Sequence, residues 1–247
     1  MLGIIPYTTL EDRVEKEWDA LFIYTSKEQF YFKNNTNLST EIKEELPDLA
    51  FCMQKNVQLL SSLYAPLFKE DEFKELIKKI ICQRTFFERS DAFIKKNHCY
   101  NTEGIFYEKP YSHFPKIKPG SHIRINQLNP IGPSVLTKPS ESDLNATIFH
   151  EYGHEMHYQT CKAESSWFQY EEYDTWTSEV LATHTERRIE KDKHSYGYRC
   201  YVNLIKKLEK IPEFAVMPFH QQWKKLLEFT TRRELVKYIR SKSSSDH

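Results

Sequence analysis

The chain has 247 residues, 39% hydrophobic, 14% aromatic and 28% charged, with 35 basic residues set against 35 acidic ones. That content suits one large globular domain or two intimate lobes and excludes a disordered chain. A net charge of zero offers nucleic acid or an anionic membrane no electrostatic footing, and no run approaches the ~18–20 apolar residues that a membrane span needs.

The first residues, Met1 to Pro6, have no basic region and too short an apolar run for a signal peptide. The expectation is a cytoplasmic protein, or one exported without a cleavable signal, as a translocated effector is. Thr8-x-x-Glu11 reads as a capping box opening a helix to about Tyr24, with Leu10, Val14, Leu21 and Phe22 as core contacts. From Ser39 to about Lys96 the pattern is helical. One helix takes Pro47 in its first turn and is broken by Pro66; the next covers roughly Asp71 to Lys96 and carries Phe73, Leu76, Ile77, Ile80, Ile81 and Phe87 as a core stripe. These elements make residues 1–96 an expected helical lobe.

The texture changes near Asn97. Gly104-Ile105-Phe106-Tyr107 reads as a short strand, and Pro119-Gly120 marks a turn into a second one, Ser121 to Gln127, with Ile123 and Ile125 on one face. That second strand is expected at the sheet edge, where an extended peptide can pair with it through main-chain hydrogen bonds. Pro139 and Ser140 then signal a long helix to about Cys161, with acid in its first turn and Leu144, Ile148 and Met156 on its apolar face. A polar loop leads to another helix from Asp174 or Thr175 to about Glu190. Further helices are expected over Arg199–Lys210, Pro218–Phe229 and Arg232–Arg240. The fold class is therefore mainly α with a small sheet (α+β), and residues 97–247 form the second part. The five cysteines are scattered without a C-x-x-C pair, which suggests free thiols.

The long helix carries His150-Glu151-Tyr152-Gly153-His154. Residues four apart on a helix lie one above the other, so His150 and His154 can grip one zinc ion with Glu151 beside them. Three protein ligands leave a position open, as hydrolysis requires. The competing explanation is an accidental pair of helical histidines. Gly153 costs up to about 1 kcal/mol inside a helix relative to alanine, which makes sense if another backbone approaches closely there. A third ligand from a following helix has Glu164, Glu171, Glu172, Glu179, Glu186 and Glu190 to draw on. Glu172 falls in the loop, whereas Glu179 lies 25 residues after His154 (179 minus 154) on a helical face. His157, seven after His150, shares the motif face as a neighbour of the ligands or as packing. His98, His113, His122 and His220 read as surface or satisfied core histidines.

The run from Asp143 through Thr147-Ile148-Phe149-His150-Glu151-Tyr152-Gly153-His154 to Met156-His157 resembles the active helix of the thimet oligopeptidase and oligoendopeptidase F family of gluzincin metallopeptidases. That family places its ligand glutamate at the spacing of Glu179 and has a strand similar to Ile123-Arg124-Ile125-Asn126 upstream. The similarity covers about residues 121–190. It implies a zincin-like core holding one zinc ion on His150, His154 and Glu179, with Glu151 as general base in peptide-bond hydrolysis. It also implies oxyanion-stabilising tyrosines at Tyr198 and Tyr201, although these stand much closer to the ligand glutamate than in the family; the alternative is a turn and the first aromatic contacts of a helix. Family members are several hundred residues long, so the family's restriction to oligopeptides does not carry over to this shorter chain. The expected partner is a peptide or protein substrate, cleaved by an endopeptidase. The rivals are a zinc exopeptidase, with Arg124, Arg187 or Arg188 closing the groove, and a zincin-fold binding protein without catalysis.

Overall fold

The computed structural model describes residues 8–9, 22–24, 30–32, 59–88, 102–108, 117–124, 127–128, 136–137, 141–163, 173–188 and 199–243. The chain divides into two compact units, Met1–Glu151 and Tyr152–His247, a division that falls within the helix carrying the motif.

In the first unit, β1 (Thr8–Thr9), β4 (Thr85–Glu88), β5 (Gly104–Tyr107) and β6 (Gly120–Arg124) form one sheet in the order β1-β4-β6-β5, while β2 (Phe22–Tyr24) pairs with β3 (Phe30–Phe32) and β7 (Gln127–Leu128) with β8 (Leu136–Thr137). β4 runs parallel to β6, and β5 antiparallel to it. The strand expected at the edge is thus an interior one, flanked on both sides. Its polar residues mislead because Ser121, His122 and Arg124 are buried along with Ile123. The described sheet ends instead at β5, whose residues after Gly104 are only half-buried. Gly120 opens β6 with φ of 138°, and a Cβ there would lie 2.3 Å from the Arg84 carbonyl oxygen. Only glycine allows that approach, which lets the Ser121 amide donate to Arg84 at 2.7 Å and start the parallel ladder.

The stretch expected as a helical lobe is mixed. Helix covers 59–64, followed by a 3-10 turn at Ala65–Leu67 that contains Pro66, and then α1 (Glu70–Gln83). α1 buries Phe73, Ile77 and Ile80 but stops thirteen residues short of Lys96 (96 minus 83). Thr85-Phe86-Phe87 is β-branched and aromatic, and β4 takes it into the sheet, with Thr85 Oγ1 donating to the Ile80 carbonyl at the junction. The capping-box helix is corrected at both ends: Thr8 pairs with Phe87, and Phe22–Tyr24 forms a hairpin strand. Its middle lies outside the described residues.

α2 (Glu141–Ala163) matches the expected motif helix, and its Leu144, Ile148 and Met156 are buried. In the second unit α3 (Thr175–Glu186) is followed by α4 (Arg199–Leu208), α5 (Pro212–Ala215), α6 (Phe219–Leu227) and α7 (Arg232–Ser243). Val180, Leu181, Ile205, Leu208, Phe214, Trp223, Leu227 and Leu235 form its core. The molecule is mostly helical with a small sheet, and among the described residues no helix is long and apolar enough to cross a membrane.

Candidate metal centre

α2 presents His150 and His154 one turn apart, and α3 supplies Glu179. One ligand atom from each of the three lies within 4.8 Å of the others. Among the described residues this is the one group of three or more His, Cys, Asp or Glu side chains gathered so closely. Both imidazoles are buried and Glu179 is partly exposed. His154 turns Nε2 toward Glu179, 3.6 Å from Oε1, and turns Nδ1 the other way to Ser178 Oγ at 3.0 Å. Two imidazole nitrogens and one carboxylate are the donor set that zinc accepts, so the residues fit the metal that the motif implies.

The packing that permits this grouping rests on glycine. A Cβ on Gly153 would stand 2.5 Å from the Ala182 Cα and 3.1 Å from the Thr185 hydroxyl. α2 and α3 therefore touch backbone to backbone beside the ligands, as the glycine's place inside the motif suggests. α3 is set by Asp174 at its N-cap, whose Oδ1 accepts from the Thr177 amide at 2.6 Å while Oδ2 accepts from the Arg232 amide of α7 at 3.0 Å. Partial burial pushes the Asp174 pKa up, but hydrogen bonds from Thr177 and Arg232, with the Arg232 charge, outweigh it and hold the carboxyl below its ordinary value.

Glu151 is buried on α2, and β5 lies against it: a Cβ on Gly104 would meet its Cγ and Oε1 at 2.6 Å. Thr147, one turn back, donates to Glu103 Oε2 at 3.1 Å, and Ser121 Oγ donates to the Glu151 carbonyl at 3.4 Å. The residue expected to act as base thus has β5 packed against its side chain and the interior strand β6 bonded to its backbone. Gly104 was legible as part of a strand, but not as the point of contact.

Tyr201 sits at the start of α4 with its ring edge-on to Trp176 at 5.3 Å. Burial and the nearby Glu179 charge raise its pKa, so the phenol keeps its proton and can donate. Tyr198 lies outside the described residues, as do Glu164, Glu171, Glu172 and Glu190. Glu186 is buried two turns beyond Glu179 and is not in the metal group. His157 is fully buried, its Nδ1 3.3 Å from Ser178 Oγ, and burial followed by the His154 charge lowers its pKa to about 3. His122 is a satisfied core histidine, stacked on Phe86 and bonded to the Lys118 carbonyl at 2.9 Å. Arg187 pairs with Glu209 at 3.0 Å, Arg188 bonds Gln222 and lies over the Phe219 ring, and Arg124 is buried on the interior strand. Cys161 is buried and Cys200 exposed, and neither forms a disulfide among the described residues.

Comparison with protein-family models, with curated proteins and with solved structures finds no match. The residues alone define the class on offer, a mostly helical protein with a His-His-Glu group whose two histidines are buried.

Proposed function

We propose that this chain is a zinc-dependent peptidase with a zincin-like core of the gluzincin type, similar to the thimet oligopeptidase and oligoendopeptidase F family, and that it acts as an endopeptidase on protein or oligopeptide substrates. The observation that carries the reading is the gathering of His150, His154 and Glu179 from two helices, with Glu151 between the histidines in sequence. A zinc ion held there supplies Lewis acidity, polarising a carbonyl oxygen and lowering the pKa of a water. Glu151 accepts the proton of the attacking water and returns it to the departing amine. The Tyr201 phenol donates to the charge that develops on the carbonyl oxygen.

Elemental analysis of purified protein tests the metal. The expected result is about one zinc per chain, lost in Glu179→Ala and kept in Glu172→Ala. Glu151→Gln should keep the zinc and lose cleavage of an unfolded protein substrate by about a hundredfold or more. Absence of zinc in the wild type after the metal is added back would overturn the proposal. Zinc without hydrolysis across a peptide library would point instead to a zincin-fold binding protein.

A further inference from the structure

Ser178 immediately precedes Glu179 on α3, and its hydroxyl lies between two histidines of the facing helix, 3.0 Å from His154 Nδ1 and 3.3 Å from His157 Nδ1. All three side chains are buried. A hydroxyl has a single proton, so it can donate to one ring and accept from the other, but cannot donate to both. Three arrangements satisfy the trio, because the two lone pairs of the hydroxyl also let it accept from both rings while its own proton goes elsewhere. In one, His154 Nδ1–H donates to Ser178 Oγ, whose proton goes to His157 Nδ1. In another the direction is reversed, and the proton of a neutral His154 sits on Nε2.

They are not equivalent for a metal. A ligating nitrogen must be free of its proton, and Nε2 is the His154 nitrogen that faces Glu179. Only the reversed arrangement takes that lone pair away; every arrangement in which His154 Nδ1–H donates to Ser178 leaves it available. We propose that Ser178 is a positioning residue that fixes His154 in its Nδ1–H tautomer, and that His157 sets the direction by accepting the Ser178 proton. The inference rests on the zinc-site reading above, and extends it from the ligands to the groups that hold one of them ready.

His157 suits the role because its ring is itself held. Tyr173 stands edge-on to it with centroids 4.4 Å apart, and the Tyr173 hydroxyl donates to the Leu227 carbonyl at 2.6 Å. The accepting ring is thereby packed against a tyrosine that is tied to the end of α6. Partners of this kind behind a metal-binding imidazole commonly change metal affinity by about ten- to a hundredfold.

The test pairs zinc competition against a chromophoric chelator with nitrogen-15 spectra of the histidine side chains in the metal-free protein. Wild type should show His154 protonated on Nδ1 before any metal is added. Ser178→Ala should bind zinc about ten- to a hundredfold more weakly with far-ultraviolet circular dichroism unchanged, Ser178→Thr should recover most of that loss, and His157→Phe should mix the His154 tautomers. A wild type that binds zinc while Ser178→Ala binds it equally tightly overturns the inference and leaves the zinc site standing. A metal-free wild type with the His154 proton on Nε2 overturns it whether or not the variants fold. A wild type that binds no zinc fails earlier, at the site itself.

Discussion

Gly153 shows how much one missing methyl group can decide. Its neighbour across the helix interface is the Ala182 Cα at 2.5 Å from the place a Cβ would take, and backbone cannot swing aside as a long side chain can. Gly153→Ala gains helix propensity but must part the two helices, so a net loss of about 1–3 kcal/mol is expected in chemical denaturation, with weaker zinc binding alongside. Unchanged stability and affinity would mean that the helices can separate freely at this point. The reason for this glycine was legible in the sequence because it stands inside a helix where it should not be. Ser178 was not legible, because a serine beside a ligand carries no mark of the two rings it touches. Gly104 was hidden for a different reason, since glycine at the start of a strand is ordinary and its use appears only when the Glu151 side chain is seen in the space.

Helices and strands separate into those whose local signals prevailed and those overruled by the sheet. Thr231-x-x-Glu234 is a working capping box: Glu234 accepts from the Thr230 and Thr231 amides, and the Glu234 amide donates back to Thr231 Oγ1. Thr8-x-x-Glu11 has the same letters, yet Thr8 pairs with Phe87 in the sheet. The Asp71–Lys96 helix fails in the same way, because Thr85–Glu88 gains a parallel neighbour in β6 that no local window contains. The motif helix and the ligand helix were legible because periodicity, caps and polar loops agreed. At Asp174 the agreement can be measured. Asp174→Ala removes a cap worth about 1 kcal/mol from α3 and an acceptor from the first turn of α7, so thermal denaturation should show a loss of about 1–2 kcal/mol. Asp174→Asn, which keeps one oxygen, should recover part of it. Equal stability in all three proteins would remove Asp174 from the account.

Over the whole molecule, acid should act through a buried histidine. His184 is 1% exposed, stacked on Phe219 at 5.1 Å, and its pKa is lowered from 6.5 to about 3 by burial, then by the charges of Arg188 and Arg187. The unfolded chain accepts this proton as the pH falls below 6.5, whereas the folded one refuses it until about 3. Stability present above 6.5 is therefore lost through that interval, by up to about 1.4 kcal/mol per pH unit. Metal-free His184→Phe, followed by denaturant titration between neutral pH and pH 5, should show a slope shallower by one proton than the wild type. His157 acts in the same direction but is present in both proteins, so it cancels. Matching slopes would show that His184 takes its proton while folded. One consequence reaches the end of the chain. The carboxylate that starts the helix of Glu179 also accepts from Arg232, 58 positions later, whose guanidinium lies 4.9 Å from the Trp176 ring centre. The last helix is thus a brace for the proposed metal ligand and no mere appendage. A deletion from residue 232 onward should release zinc, and a tag is best joined after the helix ends at Ser243.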